Sequence, residues 1–121
     1  MNLPRTITEN SLTLDLQDGP DELVVRWTGK SSDRDPGRFL APLFQKVLAE
    51  AAQRCVVMDF SQLEYMNSST FTPLVKLLSE ARSADQRLRL EYSRERKWQA
   101  LSFVALKSFE TPNGRITLLA K

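Results

Sequence analysis

Apolar and polar residues alternate without a break from Ser11 to Gln17, and Glu22 to Thr28 is rich in β-branched and aromatic side chains, so both stretches predict strands. Asp18-Gly19-Pro20-Asp21 between them is turn chemistry and makes the pair a hairpin. The pattern then lapses: Gly29 to Gly37 is polar, carries two glycines and a proline, and predicts a surface loop. From Arg38 to Gln53 the residues Leu40, Leu43, Phe44, Val47 and Ala51 recur at helical spacing, with Gln45, Lys46 and Glu50 opposite, which predicts a helix packed on a sheet. Arg54 to Phe60 is a nearly continuous apolar run, as expected of a central strand covered on both faces.

Ser61-Gln62-Leu63-Glu64 has the form of a capping box but reads as a short turn before four small polar residues, Asn67 to Thr70. A second helix follows, with Phe71, Leu74, Val75, Leu78 and Ala81 on its inner face and Thr72, Lys76, Ser79 and Glu80 on its outer face. Pro73 predicts an irregular first turn or a regular start near Thr72. Arg87 to Tyr92 alternates as a half-exposed strand. Arg94 to Phe109 places Trp98, Leu101 and Ala105 on a helical stripe, with Phe103 and Leu106 off it. Pro112-Asn113-Gly114 is a turn, and Arg115 to Ala120 is a closing strand. The order β-β-α-β-α-β-α-β predicts an α/β fold: a mixed sheet of about five strands with three helices on one or both faces.

Composition narrows the function. A chain of 121 residues with no break in composition is one domain, residues 1–121. Its 17 basic and 15 acidic residues are scattered, which gives no footprint for nucleic acid. Met1 to Thr6 has no apolar leader and no window reaches the length of a membrane span, so a cytoplasmic protein is expected. Cys55 heads an apolar strand and reads as core packing. There is no histidine, which removes Ser-His and Cys-His nucleophile pairs and imidazole metal sites; with no Gly-x-Ser-x-Gly either, an enzyme is not expected. Gly29-Lys30-Ser31 does not end a phosphate-binding loop, because Val24 stands where that motif needs glycine. Neither cofactor nor metal is expected.

The chemistry that remains lies in Asn67-Ser68-Ser69-Thr70. Hydroxyls at a helix start sit at the positive end of the helix dipole, where a phosphate is stabilised and visible to a partner. Capping alone accounts for one of the four, Ser68 or Asn67 being suitable. Around them Thr72, Lys76, Ser79 and Glu80 offer an outer helix face for protein contact.

The string Val57-Met58-Asp59-Phe60-Ser61-Gln62-Leu63-Glu64-Tyr65-Met66-Asn67-Ser68-Ser69-Thr70 resembles the signature of STAS domains, the fold of bacterial anti-sigma-factor antagonists. Asn67 stands where those proteins carry aspartate and Thr70 where they carry glycine. Leu63 to Thr70 is similar to the Leu-Glu-Tyr-Phe-Asn-Thr-Ser-Ser of a subgroup of small STAS-like regulators, which also end in a strand. The resemblance implies a STAS-like domain that binds a protein and is switched by phosphorylation of Ser68, with Ser69 and Thr70 as fallback acceptors. It further implies a serine/threonine kinase of the histidine-kinase-ATPase type, a PP2C-like phosphatase, and a target such as a diguanylate cyclase or an anti-sigma factor. Two other readings are a constitutive scaffold without a switch and a receiver domain phosphorylated on Asp59.

Overall fold

The computed structural model describes residues 3–121; Met1 and Asn2, part of the N-terminal stretch in which no leader was expected, lie outside them. The elements are β1 (Thr6–Glu9), β2 (Leu12–Asp18), β3 (Glu22–Ser31), α1 (Gly37–Ala51), β4 (Cys55–Asp59), β5 (Leu63–Met66), α2 (Ser68–Ser83), β6 (Leu88–Tyr92), α3 (Lys97–Val104) with a 3-10 turn over Ala105–Phe109, and β7 (Ile116–Ala120). They form one mixed sheet of seven strands in the order β1-β2-β3-β4-β6-β7, with β5 beside the far end of β3. The first three strands are antiparallel; β4, β5, β6 and β7 join in parallel, as crossover helices require.

The sheet therefore has seven strands, against an expectation of about five. The two additions are β1, in which only Ile7 is even partly buried, and β5, which was expected as a turn. The expected loop from Gly29 is also shorter, because β3 continues to Ser31. Gly29 makes this possible: its φ is +83°, and a Cβ there would meet the Ser11 carbonyl oxygen at 2.1 Å. At this irregularity β3 leaves β4 behind and takes β5 as its neighbour.

All three helices lie on one face of the sheet. Leu23, Val25 and Trp27 of β3, Val56 and Met58 of β4, and Leu88 and Leu90 of β6 share one core with Leu40, Phe44, Leu74, Leu78, Phe103 and Leu106 from the helical segments. Trp27, Phe60, Phe103 and Tyr92 form a run of aromatic contacts through it, with successive ring centroids 4.6, 5.0 and 5.3 Å apart. The alternate residues of the same strands point to the other face, since strand side chains have a period of two. There Val57 is buried outside that core, and a chain of ion pairs links Glu22, Arg89, Glu91, Lys121, Asp59 and Arg26. The continuous apolar run of β4 thus reflects helices on one side and long charged side chains on the other, not two helical layers.

The third helical segment turns opposite to the expected stripe. Phe103 and Leu106 are buried, whereas Leu101 and Ala105 are exposed. Gln99 fixes this orientation: wholly buried, it donates to the carbonyls of Phe60 (2.6 Å) and Leu63 (3.0 Å) and accepts from the Ser93 amide (2.7 Å). Among the described residues, no helix is long and apolar enough to cross a membrane.

At the start of the β7 margin the outward backbone groups are already used. Ile116 N–H donates to the Thr111 hydroxyl and Leu118 N–H to the Glu110 carboxylate, while the Ile116 carbonyl accepts from the Thr111 amide.

Candidate functional site

The polar run of the sequence sits where β5 hands over to α2, against the end of β3. Asn67 N–H donates to the Ser31 carbonyl at 2.9 Å, which continues the β3–β5 pairing by one bond. Asn67 is the N-cap, in extended conformation, and its side-chain oxygen accepts from the Thr70 amide (3.1 Å) and the Thr70 hydroxyl (2.7 Å). Its amide nitrogen donates to the Asp33 carbonyl at 2.7 Å. The Thr70 hydroxyl also bonds the Ser31 hydroxyl at 2.8 Å, and both residues are buried. The mouth of α2 is thus bolted to β3 and to the loop after it by side chains that use both ends of an amide.

With Asn67 capping, Ser68 and Ser69 are the first two residues of the helix and are exposed. Among the described residues, no side-chain hydrogen bond holds either hydroxyl. Thr70 differs: it is 0% exposed and doubly bonded, so it is corrected here from a fallback acceptor and contact residue to a structural one. The helix starts at Ser68 and not near Thr72. Pro73 is accommodated inside it as a buried residue facing α1, since the amide it lacks would have bonded the carbonyl of the exposed Ser69.

The outer face divides. Thr72 and Lys76 are exposed, whereas Ser79 and Glu80 are half-buried, Glu80 being bonded to Gln45 of α1 and paired with Lys76 at 4.0 Å. Lys76 and Glu80 line a shallow groove between α1 and α2 of about 240 Å³, together with Pro42 and Pro73.

Asp59 does not join this site. It is 2% exposed at the end of β4, with one oxygen accepting from the Ser61 hydroxyl (2.7 Å) and amide (2.9 Å) and the other paired with Lys121 (3.1 Å) and Arg26 (3.5 Å). Burial pulls its carboxyl upward, but the Ser61 and Lys121 hydrogen bonds outweigh that and hold it below its ordinary value. Both oxygens are engaged, which leaves none to accept a phosphoryl group as a receiver would need.

Ser31 and Asp33 were not legible as part of the site. Their separation from Thr70 and Asn67 is bridged only by a strand that the apolar pattern did not reveal.

No protein-family model matches the chain, and no curated protein gives a significant match. Among solved structures it is similar to a chain of the Pseudomonas aeruginosa diguanylate cyclase SiaD in complex with its activator SiaC, at 19% identity over 96% of this chain and 98% of that one, with a TM-score of 0.59. It is also similar to a protein of the DUF3478 family from Shewanella loihica with a SpoIIAA-like fold, at 17% identity over 98% of this chain and 90% of that one, TM-score 0.54. At these identities the likeness speaks for the fold: a mixed α/β, SpoIIAA-like fold, the STAS-like architecture.

Proposed function

We propose that the chain is a protein-binding regulatory module whose docking is controlled by phosphorylation of Ser68. The observation that carries this reading is the division of labour at the helix mouth. Asn67 does the capping and Thr70 the anchoring, which leaves the Ser68 hydroxyl exposed on a rigid platform. A phosphate there adds about −1.5 to −2 charges. The helix dipole stabilises that charge by about 0.3–1 kcal/mol, so the fold tolerates it. A docked partner with an apolar or acidic surface does not, because an unpaired charge at a desolvated contact costs several kcal/mol.

The likeness to the SiaD–SiaC complex makes a diguanylate cyclase the first target to test, with a kinase of the histidine-kinase-ATPase type and a PP2C-like phosphatase setting the state of Ser68. Thr72 and Lys76 extend the contact from the helix mouth along α2. In the test, the diguanylate cyclases of the same genome are purified and titrated with wild type, Ser68→Ala and Ser68→Asp. The expected result is binding by the first two and at least tenfold weaker binding by Ser68→Asp; equal binding by both variants refutes the switch. The competing reading is a constitutive scaffold, favoured by the fact that the Asn67–Thr70–Ser31 bonds serve folding by themselves. Intact mass after co-expression with the candidate kinases separates the two, a phosphate gained by wild type and lost in Ser68→Ala supporting the switch.

A further inference from the structure

One turn of the third helical segment presents apolar side chains to solvent. Leu101, Val104 and Ala105 are exposed, Leu101 at 78% and Val104 at 57%, while Trp98 on the same face is half-buried and packs against the core. Among the described residues only four large apolar side chains are exposed, and two of them occupy this single turn. The helix has no freedom to roll and hide them, because the buried Gln99 holds two carbonyls of the β4–β5 connection and Phe103 fills the core from the opposite face. A stripe at helical spacing, held outward by a buried polar clamp, fits a second helix laid against it.

Charge selects the kind of helix. From Lys97 to Phe109 the chain carries Lys97 and Lys107, both exposed, and no carboxylate; Glu95, exposed just before, is flanked by Arg94 and Arg96, so the surroundings stay basic. Glu110, just beyond, is committed to the Leu118 amide. Phe103 packs on Phe71 of α2, ring centroids 6.1 Å apart, so the stripe belongs to the helix that flanks the beginning of α2.

We infer that the α3 stripe is the apolar anchor for an amphipathic helix of a protein partner that carries carboxylates along its flanks. The inference deepens the docking reading above by naming where the partner's apolar contact falls, while the charge on Ser68 acts separately.

The probe is a synthetic helical peptide of about 20 residues with leucines at i, i+3, i+4 and i+7 and glutamates beside them, compared with the same peptide carrying lysines. Titration followed by amide NMR is expected to show binding of the glutamate peptide with a Kd on the order of 10–100 μM. The shifts should centre on residues 97–109, with at least tenfold weaker binding of the lysine peptide. Leu101→Ser with Val104→Ser should abolish binding; because both side chains are exposed, the variant's thermal melt should match wild type. Lys97→Glu with Lys107→Glu should reverse the peptide preference and provides an independent arm. Equal binding of the two peptides, shifts centred elsewhere, or no saturation at millimolar peptide overturns the inference. So does a self-associated species by sedimentation that the Leu101→Ser, Val104→Ser pair dissolves, since the occupant is then a second copy. Ser68→Asp should bind the peptide as wild type does. A failed Ser68 switch with intact peptide binding, or the reverse, therefore identifies which proposal has fallen.

Discussion

Changing Asn67 to aspartate, the residue that ordinary STAS antagonists carry at this place, tests whether the helix mouth needs both ends of an amide. Asn67 makes three side-chain bonds: its oxygen accepts from the Thr70 amide and hydroxyl, and its nitrogen donates to the Asp33 carbonyl at 2.7 Å. Alanine removes all of them. Loss of the cap costs about 0.5–2 kcal/mol and each remaining bond about 1 kcal/mol, so Asn67→Ala should destabilise the fold by roughly 2–4 kcal/mol. Aspartate keeps both acceptor bonds and gains about 0.3–1 kcal/mol from the helix dipole. It also turns a donor into an oxygen facing the Asp33 carbonyl oxygen, which costs about 1–3 kcal/mol for the acceptor left unmet. Asn67→Asp should therefore lie between wild type and alanine, roughly 1–2 kcal/mol down at neutral pH. Urea titration at pH 7 measures the order, and for a chain of this size each kcal/mol moves the Tm by about 3–6 °C. If Asn67→Asp is more stable than wild type, the bond to Asp33 is worth less than the dipole's gain and the account of the platform is wrong.

Gly29→Ala should lower stability by about 3 kcal/mol or more in urea titration, because the new methyl would sit 2.1 Å from the Ser11 carbonyl oxygen and at a φ of +83°. Phe103→Ala should cost about 3–5 kcal/mol by thermal melt, while Leu101→Ala should stay within about 0.5 kcal/mol, the opposite of what the Trp98-Leu101-Ala105 stripe predicts. Asp59 has a folded-state pKa held below its ordinary value, so its charge stabilises fully above the unfolded-state pKa of about 3.9 and that contribution is lost as pH falls through the folded one. The stability gap between wild type and Asp59→Asn, followed by denaturant midpoint against pH, should accordingly be constant near neutrality and narrow below about pH 4.

Most of the architecture was written in hydrophobic period. The β2–β3 hairpin, α1, β4, α2, β6 and β7 all carry enough apolar residues at spacing two or 3.6 to be read from the chain. β1 and β5 do not, because both are four residues long and partner an existing strand without adding more than a side chain or two to the core. The two departures from the STAS signature belong together physically. Thr70 in place of glycine supplies the hydroxyl that meets Ser31, and Asn67 in place of aspartate supplies the donor that meets Asp33. Neither partner is near in sequence, so the substitutions read as unrelated until β3 is seen to run past Gly29 to Ser31. Thr70 was legible as a hydroxyl at a helix start but not as a buried one, since inward and outward positions in a first turn depend on where the cap falls. The stripe of α3 misled for a related reason: a single buried glutamine outweighs an apolar periodicity when its alternatives are unmet carbonyls.

Glu110 and Thr111 close the first stretch of the β7 border by occupying backbone groups that a further strand would need. A strand offered by another molecule or another copy is thereby kept off that part of the sheet's rim, which guards the end of the chain against edge-to-edge growth.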